Sequence, residues 1–174
     1  MKIALILLAL ALPAMAADLP STKLIKDIEG EYAHSIGAGK AGQTFKSDSR
    51  VELLRHGDST LYVHLALTTP DGQRCTISGV ASYERGAFVY RDPSPPLSGD
   101  QCTLTVAQVG DTLRLSDQVG VKGPGTCSAF CTTRTGLGVY AIPMANREKV
   151  ASPARIKASK EYAKALKAFE EARQ

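Results

Sequence analysis

Hydrophobic and polar residues alternate through the middle of the chain, which is the pattern of strands with one buried face. Turn-forming residues such as Gly, Pro, Asp and Ser separate most of the alternating stretches. The pattern predicts a strand near 138–142, another near residue 31, and six clearer ones at 51–55, 61–67, 75–82, 87–90, 103–107 and 113–115. Short strands joined by short turns are typical of an antiparallel meander. We therefore predict an all-β fold, a small antiparallel barrel or sandwich of about six to eight strands.

The last part of the chain, residues 151–174, has a helical pattern instead. Ser152 and Pro153 form an N-cap and first-turn pair, and 154–173 contains no helix breaker. Apolar residues recur at helical spacing on one face, at Ala158, Tyr162, Ala165, Leu166 and Phe169. Lysines mark the opposite face, so the pattern predicts a C-terminal amphipathic α-helix. It either packs on the barrel, makes peripheral contact through 154–173 with anionic lipid, glycan or a protein partner, or frays.

The segment before the strands, residues 18–35, fits two structures. Ser21 or Thr22 is suited to cap a short helix that ends at Gly30. The Gly-Glu-Tyr sequence that starts at Gly30 is equally suited to begin a strand. Both alternatives remain open at this point.

The chain begins with the features of a secretory signal peptide. Lys2 is followed by an apolar run over 3–12, by Pro13, and by the small-x-small sequence of 14–16. The run has half the length that a membrane-spanning helix needs, which disfavours an N-terminal anchor, and no second apolar segment of spanning length follows. We predict export by a bacterium to the periplasm or the medium, with 1–16 as signal peptide, 17–150 as barrel domain and 151–174 as helix.

All four cysteines lie between Cys75 and Cys131. In an oxidising compartment they are expected to form two disulfides, because no histidine or Cys-x-x-Cys pair gives the spacing of a zinc site. Four cysteines allow three connectivities. We favour Cys75–Cys102 with Cys127–Cys131, since all four cysteines are expected to gather at one end of the meander.

Charge and motifs exclude several functions. The formal net charge of the 174-residue chain is +4, and its bases are scattered outside the tail, so no nucleic-acid partner is indicated. The serines before glycine, Ser78 and Ser98, lack the G-x-S-x-G frame of serine hydrolases. Cys-x-x-x-Cys is not the redox motif, and no pair of carboxylates stands out. We expect no enzymatic activity and no cofactor or metal. The alternation places His64 on the outer or partner-facing side, as a surface side chain.

The stretch S-G-V-A-S-Y-E that begins at Ser78 resembles the SGxxY signature of the bacterial periplasmic C-type lysozyme inhibitors. Those are small secreted β-barrels whose serine-bearing loop plugs the lysozyme cleft, so the resemblance implies Ser78 and Tyr83 as contact residues. The patterns G-x-x-C-x-I-x-G-x-A, C-x-L-x-V, L-x-L-x-D and C-x-x-x-C-x-x-R-x-G are similar to a group of uncharacterised exported bacterial proteins. That second resemblance implies a barrel with disulfides and no activity.

These observations favour an exported protein-binding module, an inhibitor or immunity factor acting on a lysozyme-like cell-wall hydrolase or another envelope protein. The predicted binding residues cluster around one hairpin and are Ser78, Gly79, Tyr83, Arg85 and Tyr90. The alternative is a small-ligand-binding or envelope-structural barrel. A packed barrel interior favours the first function, and a cavity of several hundred Å³ favours a small ligand.

Overall fold

The computed structural model describes residues 19–34, 49–68, 74–94, 100–118, 125–132 and 137–174. The predicted signal peptide, 1–16, lies outside the described residues. The strands are β1 (Gly30–His34), β2 (Ser49–Arg55), β3 (Thr60–Thr68), β4 (Arg74–Glu84), β5 (Ala87–Arg91), β6 (Thr103–Val109), β7 (Thr112–Ser116), β8 (Val139–Pro143) and β9 (Arg147–Glu148). The α-helices are α1 (Pro20–Ile28), α2 (Pro153–Lys157) and α3 (Lys160–Glu171).

The nine described strands form one antiparallel sheet in the order β8-β7-β6-β5-β4-β3-β2-β1-β9. Each strand from β2 to β8 pairs with the strand before it in sequence, as a meander requires. The prediction of an all-β antiparallel fold with a C-terminal helix is therefore confirmed. The strand number is slightly higher than predicted, because β9 has two residues and is too short to show alternation.

The sheet curls into a nearly closed barrel. β8 and β9 lie at opposite edges of the sheet, yet only Met144–Asn146 separates them in sequence. In a flat sheet of nine strands the edge strands would lie about 38 Å apart, at ~4.8 Å per strand. A link of this length spans at most about 14 Å. The two edges must therefore approach each other, and the sheet encloses an interior.

Apolar side chains fill that interior. The buried cluster includes Leu53, Leu61, Leu65, Ile77, Phe88, Leu104 and Leu113. Ile25 and Ile28 belong to the same cluster, so α1 packs against the barrel core. Both structures expected for the first segment occur in succession, with α1 followed by β1, but the N-cap is Leu19, and Ser21 and Thr22 lie inside α1. The Tyr32 hydroxyl donates a 2.6 Å hydrogen bond to the Ile28 carbonyl, and burial raises the pKa of Tyr32 to about 12.

The C-terminal helix is divided at Ser159, which separates α2 from α3 although the segment contains no Gly or internal Pro. Ser159 has extended backbone angles, and its hydroxyl accepts a hydrogen bond from the Tyr162 amide at 3.1 Å. Serine caps helices as readily as it continues them, so the sequence pattern alone could not locate this break. Tyr162 and Ala165 pack with Tyr62 of β3, so α3 covers the outer face of the sheet. None of the described helices is both long and apolar enough to cross a bilayer.

We expect Ser159→Ala to lower the free energy of unfolding by about 1 kcal/mol, because the first turn of α3 loses its cap. Urea unfolding followed by circular dichroism measures the change. Ser159→Asp keeps an oxygen that can accept from the Tyr162 amide, and we expect it to stay within ~0.5 kcal/mol of the parent. Equal destabilisation by both variants would contradict the capping role.

All four cysteines are paired, as predicted, but the favoured pairing is wrong. The disulfides are Cys75–Cys131 and Cys102–Cys127. Cys75 lies on β4 and Cys102 precedes β6, with β5 between these two strands. Next-but-one strands lie about 9–10 Å apart, beyond the reach of a disulfide. The short 3-10 helix Ser128–Phe130 lies between Cys127 and Cys131, and each of these cysteines bonds to a different strand region.

Candidate functional site

The sheet has a seam between β4 and β5. β4 pairs with β3 along nine consecutive positions, but with β5 only at Ser82, Tyr83 and Glu84. Past that point β5 follows β6 instead, and its pairing with β6 extends to Arg91 opposite Thr103. β4 and β5 therefore diverge, and part of the β4 edge has no strand beside it among the described residues.

The direction of the backbone groups on β4 follows from one hydrogen bond. The Tyr83 amide donates to the Ser59 carbonyl at 2.9 Å, on the β3 side. Successive residues of an antiparallel strand direct their N–H and C=O groups to opposite sides. Thr76, Ser78 and Val80 differ from Tyr83 by an odd number of residues, so their backbone groups face the seam.

Both ends of this edge are already paired. β5 pairs with one end, and the other end is met by the segment that carries Cys131. The Thr132 amide donates to the Arg74 carbonyl at 2.8 Å, and Cys75 and Cys131 form an isolated bridge. Within the part of the chain that the structure describes, residues 76–80 thus form a gap in a strand edge whose two ends are paired.

A groove of about 330 Å³ lies along this gap, and we call it the seam groove. It is bounded by residues 76 and 78–80 of β4, by residues 90–94 at the end of β5 and just after it, and by α3. Its apolar lining residues are Val80, Phe130, Ala165, Ala168 and Phe169, and its charged ones are Arg91, Asp92, Glu161 and Lys164. The groove thus combines apolar side chains with strand backbone groups.

Gly79 and Tyr90 close the groove on the side of the barrel core. A Cβ atom at Gly79 would overlap the Tyr90 ring, so only glycine leaves room for the ring in this position. The Tyr90 hydroxyl donates to Asp92 Oδ1 at 3.4 Å. Burial, with the nearby Asp92 carboxylate, raises the pKa of Tyr90 well above its usual value. Tyr90 is therefore a neutral donor at neutral pH.

A second depression of about 400 Å³, the polar pocket, adjoins the seam groove and shares Thr76, Ser78 and Glu161 with it. Its centre is a row of directly opposite residues on three strands, with Glu52 beside His64 and His64 beside Ser78. Ser78 Oγ lies 2.6 Å from His64 Nδ1, at hydrogen-bond distance. The outer face of the sheet therefore carries a connected polar row next to the groove.

The tyrosine beside this row stays protonated. Burial raises the pKa of Tyr62 to about 12, a hydrogen bond with Ser78 opposes the rise, and the carboxylates of Glu52 and Glu161 add to it. At neutral pH the Tyr62 hydroxyl therefore remains a hydrogen-bond donor at the edge of the polar pocket.

The carboxylates at the far side of the polar pocket are held by arginine. Glu52 Oε1 lies 3.2 Å from Arg50 Nε, and Glu31 pairs with the same guanidinium. Partial burial works to raise the pKa of Glu31, but hydrogen bonds from Arg50 and the Ala151 amide, with the positive charges of Arg50 and Arg155, lower it overall. Glu31, which does not itself line the pocket, is thus ionised at neutral pH and shares the Arg50 guanidinium with Glu52.

This arrangement is suited to hold a polar ligand group. Ser78 and His64 have the side-chain types of a catalytic nucleophile and its general base. In that chemistry a third group orients the base, whereas Glu52, the carboxylate opposite His64, is engaged by Arg50. The hydroxyl, the imidazole and the carboxylate each offer hydrogen-bonding atoms on the sheet surface.

The structure brings three of the predicted binding residues to the seam groove. Ser78 lines it from the outer face of β4, and Gly79 and Tyr90 close it on the core side. The turn between β4 and β5 is not what brings these three residues together. They meet because β4 and β5 diverge, which the sequence pattern could not show.

The other two predicted binding residues lie elsewhere. Tyr83 packs against the barrel core, with its ring centroid 5.5 Å from that of Phe88 in an edge-on contact. Arg85 lies at the exposed turn between β4 and β5, with a positive φ of 49°. The five residues thus do not share one surface, and a binding role for each stays a prediction.

Sequence reasoning missed the groove residues contributed by other elements. Alternation placed His64 on the outer face of its strand, which is where it lies, next to Ser78. It could not give the strand register that sets them side by side. Glu161, Lys164 and Phe169 fitted a helical pattern, but nothing in that pattern indicated which strand α3 would cover.

The fold and the site define a class: a disulfide-bonded, nearly closed antiparallel barrel with a helix-covered groove on its outer face. Comparison of the chain with protein-family models, with curated proteins and with solved structures gives no match. The resemblance to lysozyme inhibitors and to uncharacterised exported proteins therefore remains a prediction.

Proposed function

We propose that this protein is an exported, non-enzymatic binding module whose ligand lies in the seam groove. The observation that carries the proposal is the gap in the β4 edge, where strand backbone groups face a groove of about 330 Å³ under α3. That volume falls at the lower end of the range of small-ligand sites. The barrel interior is filled by side chains, so the outer face is the better candidate for a site.

Export is supported by the two disulfides together with the signal sequence expected over 1–16. Disulfides persist in oxidising compartments such as the periplasm and the medium. A binding protein placed there meets cell-wall fragments, peptides and envelope proteins. The proposal therefore places the ligand among molecules of the envelope.

Obstruction of the groove tests this proposal. Ala168 is half-buried on α3 and lines the groove, whereas Ala163 is exposed on the same helix and does not. A fragment library is screened by ligand-observed NMR against the chain from residue 17 onward. We expect Ala168→Trp to weaken the fragments that bind by about tenfold or more, and Ala163→Trp to leave them unchanged. Fragments that bind the parent chain, Ala168→Trp and Ala163→Trp equally well would place binding outside the groove.

The lysozyme-inhibitor hypothesis has a separate test. Purified protein is titrated against several types of lysozyme and bacterial peptidoglycan hydrolases in a cell-wall lysis assay. Stoichiometric inhibition that is lost in Ser78→Ala but kept in Ser82→Ala would make a hydrolase the partner. Absence of inhibition at micromolar excess would reject this partner and leave the groove proposal in place.

A further inference from the structure

The chemistry of the seam groove narrows the class of ligand. We propose that it binds an extended polypeptide segment, which adds as a short strand to the β4 edge between β5 and the Cys131 segment. This inference rests on the proposed function, since it identifies the ligand of the same groove. Strand addition of this kind derives affinity from main-chain hydrogen bonds and selectivity from side-chain pockets.

The edge itself favours a polypeptide. Thr76, Ser78 and Val80 present their N–H and C=O groups to the groove at the spacing of a strand. A ligand must satisfy these groups in a space that becomes sheltered once it is filled, because buried backbone groups left without partners are costly. A peptide backbone offers donors and acceptors at the same repeat, and both ends of the gap already pair in this way.

The length of the gap sets the length of the strand. From residue 76 to residue 80 a strand extends about 13 Å, at ~3.3 Å per residue. Beyond these positions the edge is taken by β5 on one side and by the contact of Thr132 with Arg74 on the other. The gap therefore accommodates about four residues in extended conformation, which is the length of a tripeptide with blocked ends.

The outer side and the core side of the groove determine which ligand side chains fit. A ligand residue opposite Ser78 directs its side chain to the same outer face, toward α3. There it meets Ala165, Ala168 and Phe169, which favour an apolar side chain. The ligand residues on either side of this one direct their side chains toward the barrel core. There the Tyr90 ring already fills the space over Gly79 and leaves room for small side chains only. The expected pattern is small, apolar, small.

The charges that line the groove are mixed. Glu161 and Lys164 lie one helical turn apart on α3, and neither forms an ion pair with another described residue. Arg91 and Asp92 add one charge of each sign to the lining of the groove. This balance does not select for a strongly charged ligand, so neutral peptides with blocked ends are the appropriate probes.

Three N-acetylated tripeptide amides, Ala-Leu-Ala, Ala-Phe-Ala and Ala-Val-Ala, are titrated into the chain by NMR. Each is compared with its analogue methylated on the central backbone nitrogen, which keeps the side chain but removes one donor. We expect binding by at least one parent peptide and a loss of about tenfold or more on methylation. Exchange of the Ser78 and Val80 amide protons is measured in the same samples, and we expect it to be fast in the free protein and slower in the complex.

Several results would overturn the inference. Equal binding of a parent peptide and its methylated analogue would show recognition through side chains alone. Slow exchange of the Ser78 and Val80 amides in the free protein would show that another part of the chain already pairs with this edge. If no parent peptide binds at millimolar concentration while fragments sensitive to Ala168→Trp do bind, the ligand is not a peptide and the groove proposal stands. Failure of both peptides and fragments would remove both proposals.

Discussion

Replacement of Cys75 and Cys131 by serine is expected to lower the free energy of unfolding by about 4 kcal/mol. This disulfide closes a loop of 56 residues, and cross-linking stabilises mainly by restricting the unfolded chain. It also ties the segment around Cys131 to β4, at the end of the seam that β5 does not reach. Urea unfolding of the oxidised parent and the double variant, followed by circular dichroism, gives the difference.

The second disulfide provides the matched comparison. Cys102–Cys127 closes a loop of 25 residues, so its double serine variant is expected to lose slightly less, about 3.5 kcal/mol. Peptide mapping under non-reducing conditions checks the pairing itself. Recovery of a fragment that joins Cys75 to Cys102 would contradict this fold, and so would a Cys75/Cys131 variant as stable as the parent.

Alternation was sufficient to locate β1 to β8, because each of these strands buries the face that lines the barrel interior, whereas the two-residue β9 is too short to show the pattern. Leu61, Val63, Leu65 and Leu67 occupy every second position of β3, and all four are buried in the structure. The pleat of a strand forces this pattern whatever the neighbouring strands are. Strand positions, the order of a meander and the presence of a C-terminal helix were therefore predictable from the sequence.

The contacts between elements were not predictable, since they depend on where strands stop pairing. Nothing in the residues of β5 shows that it leaves β4 after Val89 and follows β6. That divergence creates the seam groove. The strand order, with β5 between β4 and β6, separately rules out the disulfide between Cys75 and Cys102, which was favoured because all four cysteines were expected to gather at one end of the meander. Ser159, which both fits a helix and caps one, is a local example of the same ambiguity.

Asp117 is the residue for which we expect the largest effect of a single substitution in the barrel. It is 1% exposed, and it follows Leu113 and Leu115 on the inner side of the strand alternation. A buried carboxylate is costly unless hydrogen bonds replace its water. Here Oδ2 accepts from the Cys127 amide at 3.0 Å and from the Leu137 amide at 2.9 Å.

The other carboxylate oxygen, Oδ1, accepts from the Gly138 amide at 2.6 Å, so one side chain fixes two separate segments of the chain. Asp117→Ala leaves three amides without their acceptor, and we expect it to lower the free energy of unfolding by about 3 kcal/mol in urea. Asp117→Asn retains one suitable oxygen but turns an NH₂ group toward amide donors. We therefore expect it to lower the free energy of unfolding measurably, but by less than Asp117→Ala does.

Asp111→Ala, at the exposed turn between β6 and β7, is the control and is expected to change stability by less than ~0.5 kcal/mol. The Asp111 backbone carbonyl, which accepts from the Met144 amide, is retained in that variant. If Asp117→Ala were as mild as Asp111→Ala, the carboxylate would not be holding these segments. The segment that carries Cys127 would then depend on its disulfide and on the hydrogen bonds of Thr126 with Thr103 and with the Asp117 carbonyl.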